Sequence, residues 1–174
     1  MTNLFAGLKN AKTSERGSYF TPGKYTVKVV KGVKFRTRKN YDAFILEMQV
    51  IKSEYENAKE QAIKTLTLAG KNIDLEALES TLPLKEGSTG SWFQSLADMS
   101  IGFGALKGFA ANVTGITNSE DPTFLGEVEE FLTSVVDERQ SLKDAVLPLE
   151  VVQILTKEGK PFSLYRWGSM VAPA

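Results

Sequence analysis

The chain of 174 residues contains no histidine and no cysteine. Without cysteine there is no disulfide, no thiolate nucleophile and no thiolate metal ligand. Without histidine the commonest general base is missing as well. Zinc sites of the Cys/His type and imidazole-assisted hydrolysis are therefore excluded. A carboxylate site for a divalent cation stays open, because its ligands can come from distant positions. Asp and Glu are present, but they form no constellation with a nucleophile and a base. The expectation is a non-enzymatic protein with no cofactor and no metal. No apolar run approaches the length of a membrane span, and the opening MTNLFAGLKNAKTSERGS lacks the continuous apolar core of a signal peptide. Together with the lack of cysteine, this gives a soluble, cytoplasmic protein as the expectation.

The most informative shortage is local. Between Lys24 and Lys39 there are seven cations (Lys24, Lys28, Lys31, Lys34, Arg36, Arg38, Lys39) and no acid. The first 40 residues hold ten Lys and Arg against one acid, Glu15, a net of +9. The chain has 21 charges of each sign, so the other 134 residues hold eleven cations against twenty acids, a net of −9. Such a split predicts a basic binding face on an acidic body. Tyr25, Phe35 and Tyr41 are threaded among the cations. Cations for a phosphate backbone and aromatic faces for unstacked bases are what single-stranded nucleic acid requires. The competing reading of the cations is an edge strand protected by lysine.

In chain order, Leu4, Phe5 and Leu8 form a short amphipathic patch, followed by the polar run 12–18. This reads as a terminal arm with a helical turn, or as an arm that docks on a neighbouring subunit or on nucleic acid. Thr21-Pro22-Gly23 is turn chemistry. Tyr25, Val27, Val29, Val33 and Phe35 then alternate with polar residues as a long strand. Lys31 breaks the parity and Gly32 follows, which predicts a bulge. Thr37 to Asn40 connects to a second strand, 41–51, with Phe44, Leu46, Met48 and Val50 buried. After the charged segment 53–60, Ala62–Leu68 alternates as a third strand. Asp74–Ser80 has helical spacing, and Pro83 stops it.

A fourth strand, 87–97, places Trp92 beside Phe93, and adjacent strand residues face opposite ways, so only one of them is core. Ser100 caps a helix to about Val113, whose glycines at 102, 104 and 108 fit close helix–sheet packing better than a phosphate loop. Asp121-Pro122 starts another helix with an apolar face of Phe124, Val128, Phe131, Leu132 and Val135. Its opposite face carries Glu127, Glu129 and Glu130. The last unit, 145–168, is a hairpin turning at Lys157–Lys160. Its second arm puts Phe162, Leu164 and Arg166 on one face and Ser163, Tyr165 and Trp167 on the other. Which of these faces the core is open.

The fold class expected is mainly β with inserted helices (β+α), a five- or six-stranded antiparallel barrel of OB type with two to three helices. Residues 1–20 form an arm, 21–170 one nucleic-acid-binding domain and 171–174 a short tail. Three stretches in this order, GKYTVKVVKGVKFRTRKNYDAFILEMQVIKSE, GSTGSWFQSLADMSIGFGALKGFAANVTGI and LPLEVVQILTKEGKPFSLYRWG, resemble the phage-encoded single-stranded DNA-binding proteins of OB-fold type. The resemblance implies sequence-nonspecific binding in phage replication or recombination, in the host cytoplasm. On that reading Lys28, Lys34, Arg36, Arg38 and Lys39 neutralise phosphates, and Phe35, Tyr41 and one of Trp92 or Trp167 stack on bases. Tyr165 joins the site, and Arg166 either pairs with phosphate or stacks. The partners expected are single-stranded DNA, replication or recombination proteins, and further copies of the chain. With no acid after Glu158, the acidic face of the 122–138 helix is where protein partners would be met. The alternative is a structural protein that self-associates, basic ribbon to acidic body.

Overall fold

The computed structural model describes residues 18–115 and 122–170. It is a mixed β+α fold built on one sheet. In chain order the elements are β1 (Ser18–Tyr19), β2 (Gly23–Arg36), β3 (Asp42–Ser53), α1 (Tyr55–Leu68), α2 (Leu75–Thr81), β4 (Thr89–Ser95), α3 (Met99–Thr114), α4 (Pro122–Val136), β5 (Val146–Leu155) and β6 (Pro161–Trp167). The sheet order is β1-β4-β3-β2-β5-β6. The five long strands pair antiparallel, and the two-residue β1 joins β4 in parallel. The sheet is open, since no ladder joins β4 to β6 among the described residues. Phe20 and Tyr165 lie in that seam with ring centroids 6.3 Å apart. Phe20 seats where Gly90 has no side chain, for a Cβ there would stand 2.5 Å from the ring. The sheet body therefore includes Ser18 and Tyr19; the rest of the arm expected over 1–20, with the Leu4, Phe5, Leu8 patch, lies outside the described residues.

The bulge falls at Val30. Val29 pairs with Met48 and Lys31 with Glu47, so Val30 has no opposite number. One extra residue reverses the parity of everything after it. Tyr25, Val27 and Val29 face the core, whereas Val33 and Phe35 do not. Gly32, Lys34 and Arg36 take the core-side parity, opposite Leu46, Phe44 and Asp42. The single alternating face expected from 25 to 35 is thus two half-faces out of phase. Gly32 is required at the reversal, because a Cβ there would lie 2.5 Å from the Val135 carbonyl of α4.

Val27, Val29, Leu46, Met48, Val50, Leu147, Leu149 and Val151 form the buried sheet face, capped by Phe109 and Val113 of α3 and Val135 of α4. Gly102 brings α3 onto the end of β4, where a Cβ would meet the Ser95 carbonyl at 2.6 Å. Among the described residues nothing lies within 4 Å of a Cβ built at Gly104 or Gly108, so there only Gly102 of the three packs closely. The cap of α3 is Asp98, which accepts from the Ser100 and Ile101 N–H groups, rather than Ser100. Ser100 instead donates its hydroxyl to Asp98 at 2.8 Å. Hydrogen bonding to Ser100 holds the Asp98 carboxyl below its usual range. Phe124, Val128 and Val135 bury the expected face of α4. Asp121, the expected N-cap, lies outside the described residues.

Residues 62–68 are not a strand. They complete α1, in which Tyr55, Ala58, Lys59, Ala62, Ile63 and Leu66 recur at helical spacing as the less exposed side. The Thr65 and Thr67 hydroxyls donate to the Gln61 and Ile63 carbonyls one turn back. β-Branched residues at alternate positions imitate a strand here, and back-bonding makes them tolerable in a helix. Among the described residues there are four helices where two to three were expected. The 74–80 helix is present as α2, capped by Asp74, although Leu75 is exposed.

Candidate nucleic-acid interface

The sheet face away from α3 and α4 carries aromatic and basic side chains. Residues paired across a ladder share a face. Phe35 pairs with Ala43, and Ala43 with Ser95. Val33 pairs with Ile45, and Ile45 with Phe93. The rings of Phe35 and Phe93 meet edge to face at 6.2 Å on this outer surface. Phe35 remains 38% exposed, while Ala43 beneath the pair is fully covered. Lys31 and Lys28 continue the same face along β2, the latter 3.5 Å from Asp144. On the same face at the β5–β6 edge of the sheet Arg166 stands opposite Glu150, 3.9 Å away, followed by Leu164 and Phe162. Phe162 is half exposed.

The β2–β3 connection concentrates charge at the end of this face. Thr37 donates its N–H to the Tyr41 carbonyl and accepts from Asn40 N–H, each at 2.9 Å. Asn40 closes the turn at φ 66°, a left-handed conformation that Asn tolerates better than most residues. Its side chain accepts from Arg36 Nε at 2.9 Å, and Arg36 also lies 3.8 Å from Asp42. Lys31, Lys34, Arg38 and Lys39 have no acidic partner within 4.0 Å among the described residues. Tyr41 is half-buried at the base of the turn. A second basic turn, closed by Gly159 at φ 77°, carries Lys157 and Lys160 between β5 and β6.

The structure separates the expected residues into three groups. Lys28, Phe35 and Arg166 share the outer face. Lys34, Arg36, Arg38, Lys39 and Tyr41 gather at the end of the hairpin, with Lys34 and Arg36 on the core-side parity but beyond the core. Trp92, Tyr165 and Trp167 belong to the core, which corrects their assignment to the interface. Trp92 and Trp167 are 4% and 7% exposed, and their rings lie 5.0 Å apart beneath α3. Tyr165 packs against both, and burial pushes its hydroxyl up to about 12, opposed by a hydrogen bond from the Phe20 backbone. Of the two readings of 162–167, the one with Arg166 outside and both aromatics inside is correct.

The outer face also carries Phe93 and Phe162, which are not among the residues expected at the interface. A signal for Phe93 exists, since Ser91 and Ser95 share its parity and mark the solvent side, while Gly90 shares that of Trp92. For Phe162 the signal is divided, since Arg166 shares its parity but so does Leu164.

Among the described residues, no cluster of three or more acidic side chains could hold a metal ion. A groove of about 230 Å³ at Ser53, Tyr55, Glu56, Lys85 and Glu86 mixes both charge signs. No helix is long and apolar enough to cross a membrane among the described residues. No family model matches the chain, and no curated protein matches it in sequence.

Proposed function

We propose that this protein binds single-stranded DNA without sequence preference, in a replication or recombination setting of the phage type. The observation that carries the reading is the Phe35–Phe93 pair, half-exposed on a β-sheet face, with Lys31 on the same face and Lys34, Arg38 and Lys39 toward the end of the ribbon, none of these four with an acidic partner within 4.0 Å among the described residues. Aromatic faces hold bases of any identity, and the cations track the phosphates. The topology supports an OB-type barrel. The order β4-β3-β2-β5-β6, the bent first long strand, the helix after the third and the open seam between β4 and β6 agree with a partly open five-stranded Greek key. In that architecture oligonucleotides lie across the second and third strands, between the loops that follow the first and fourth. On that reading those strands correspond to β3 and β4, and those loops to the basic turns 37–41 and 156–160.

Fluorescence anisotropy with labelled oligo(dT), oligo(rU) and duplex of equal length tests this. If three to five cations meet phosphate, log K falls with log salt at a slope of about −2 to −3.5 on the single strand. Binding is expected to be weaker on duplex. Absence of binding to all three ligands at low salt overturns the proposal. The alternative is favoured by one observation, the exposed Glu127 and Glu129 of α4 on the acidic body. Self-association through ribbon and body predicts oligomers that form without nucleic acid and dissolve with salt.

A further inference from the structure

β2 has partners on both sides only for part of its length. At Val29 the N–H donates to the Ala145 carbonyl at 2.9 Å, and the C=O accepts from Asp144 N–H at 2.8 Å. At Gly32 the Gln140 carboxamide takes over, accepting from the N–H and donating to the C=O, both at 2.9 Å. Backbone groups of an antiparallel strand alternate in direction, so Lys34 and Arg36 point the same way as Gly32, away from β3. Among the described residues nothing pairs with their outward N–H and C=O groups. The edge from Val33 to Thr37 is open.

We propose that this edge is a docking strand for an extended acidic segment of a partner protein, which adds to the sheet beside β2. Three observations select that occupant. The edge presents donors and acceptors in alternation, as another strand requires. A phosphate only accepts, and leaves the Lys34 and Arg36 carbonyls unmet. The same edge of a second copy brings cations against cations, the arrangement by which edge strands resist self-pairing. Charge complementarity therefore favours an acidic strand.

The parity defines its pattern. Acidic residues beside Lys34 and Arg36 alternate with apolar residues beside Val33 and Phe35, because cross-strand neighbours share a face. The proposal is independent of nucleic-acid binding, but it shares cations with that reading, so an oligonucleotide and the peptide compete.

The test is titration of the ¹⁵N-labelled chain with a seven-residue peptide of alternating Val and Glu. A control of equal composition has its glutamates in one block. Saturable binding is expected to slow exchange of the Lys34 and Arg36 amides by about tenfold or more, leaving the Val33 and Phe35 amides, already bonded to β3, unchanged. Lys34→Pro removes one outward N–H without touching the β3 ladder, as edge positions allow, and is expected to weaken binding about tenfold. A peptide N-methylated on the groups facing β2 applies the same test without altering the protein, and is expected not to bind. No binding, equal binding by the block peptide, or undiminished binding by the N-methylated peptide overturns the proposal. If oligo(dT) binds and the peptide does not, the edge proposal falls alone. If the peptide binds and oligo(dT) does not, only the nucleic-acid reading falls.

Discussion

Replacing Phe93 by Ala separates stacking from charge. Phe93 touches Phe35 across β3 at 6.2 Å and carries no polar group, so its removal leaves every cation in place. Two effects follow, on different scales. The folded protein loses the edge-to-face pair, about 0.5–1.5 kcal/mol beyond what the apolar area buried by Phe93 contributes. The complex loses a platform worth about 1–3 kcal/mol per stacked base. That is about a 5- to 160-fold rise in Kd for oligo(dT) at fixed salt. The slope of log K against log salt is expected to stay unchanged, because the same cations still meet the phosphates. Anisotropy titrations at four salt concentrations are expected to give lines parallel to wild type and displaced downward. Both native tryptophans are buried, so intrinsic fluorescence is expected to change little on binding. Phe93→Trp introduces a reporter on the proposed face that a stacked base should quench. A folded Phe93→Ala variant with wild-type affinity, or a slope that changes with the affinity, refutes the assignment.

Arg38→Ala with Lys39→Ala is the converse experiment. Each cation–phosphate pair removed from a single-strand complex should flatten the salt slope by about 0.7, with no effect on quenching of the Phe93→Trp reporter at saturation. Gly32→Ala drives a methyl against the Val135 carbonyl and should destabilise the fold by about 1–3 kcal/mol, read from the denaturant midpoint. Tyr165 holds its proton more tightly folded than unfolded, with its hydroxyl raised from 10.0 to about 12 chiefly by burial. Its contribution is therefore intact below pH 10 and lost as pH rises toward 12. The full contribution is about 2–3 kcal/mol. Tyr165→Phe should flatten the alkaline limb of stability against pH. A residual slope from Tyr25, also raised mainly by burial, should remain.

Much of the sheet was legible because its signals are local. Strands β2, β3, β4 and the β5–β6 hairpin show period-2 alternation, turn residues bound them, and Lys31-Gly32 marks the irregularity. The consequences of that irregularity were not legible. Whether the extra residue is Val30 or Lys31 is decided by pairing with β3, and one residue moves Phe35 to the opposite face. The same limit hid the fate of the tryptophans. Trp92 and Trp167 are core because α3 lies over them, and α3 is distant from Trp167 in sequence. Residues 62–68 misled for the opposite reason. The local pattern is strand-like, but Tyr55, Ala58, Ala62 and Leu66 form a longer helical repeat that runs through the charged segment 53–60.

Gln140 connects these points, since it fixes the bend where β2 leaves its partners. Its carboxamide makes two bonds to Gly32 and a third to the Asp137 carbonyl at 3.0 Å. It sits at φ 43°, in a loop that carries the end of α4 onto the ribbon. One side chain thus stands in for a residue of the missing strand. Gln140→Ala leaves both Gly32 groups unpaired and should cost about 1–3 kcal/mol. Gln140→Glu is more discriminating. An ionised carboxylate can still accept from Gly32 N–H, but it faces the Gly32 and Asp137 carbonyls with no proton to donate. Protonation restores one donor, so the introduced carboxyl should have a raised folded pKa. Its favourable contribution is then present below the ordinary glutamate range and lost as pH rises through the folded value. Relative to wild type at the same pH, the penalty of Gln140→Glu should shrink between about pH 7 and about pH 4, whatever the other carboxylates do. If the penalty is equal at both pH values, the Gln140 side chain does not splice the sheet, and another interaction sets the bend.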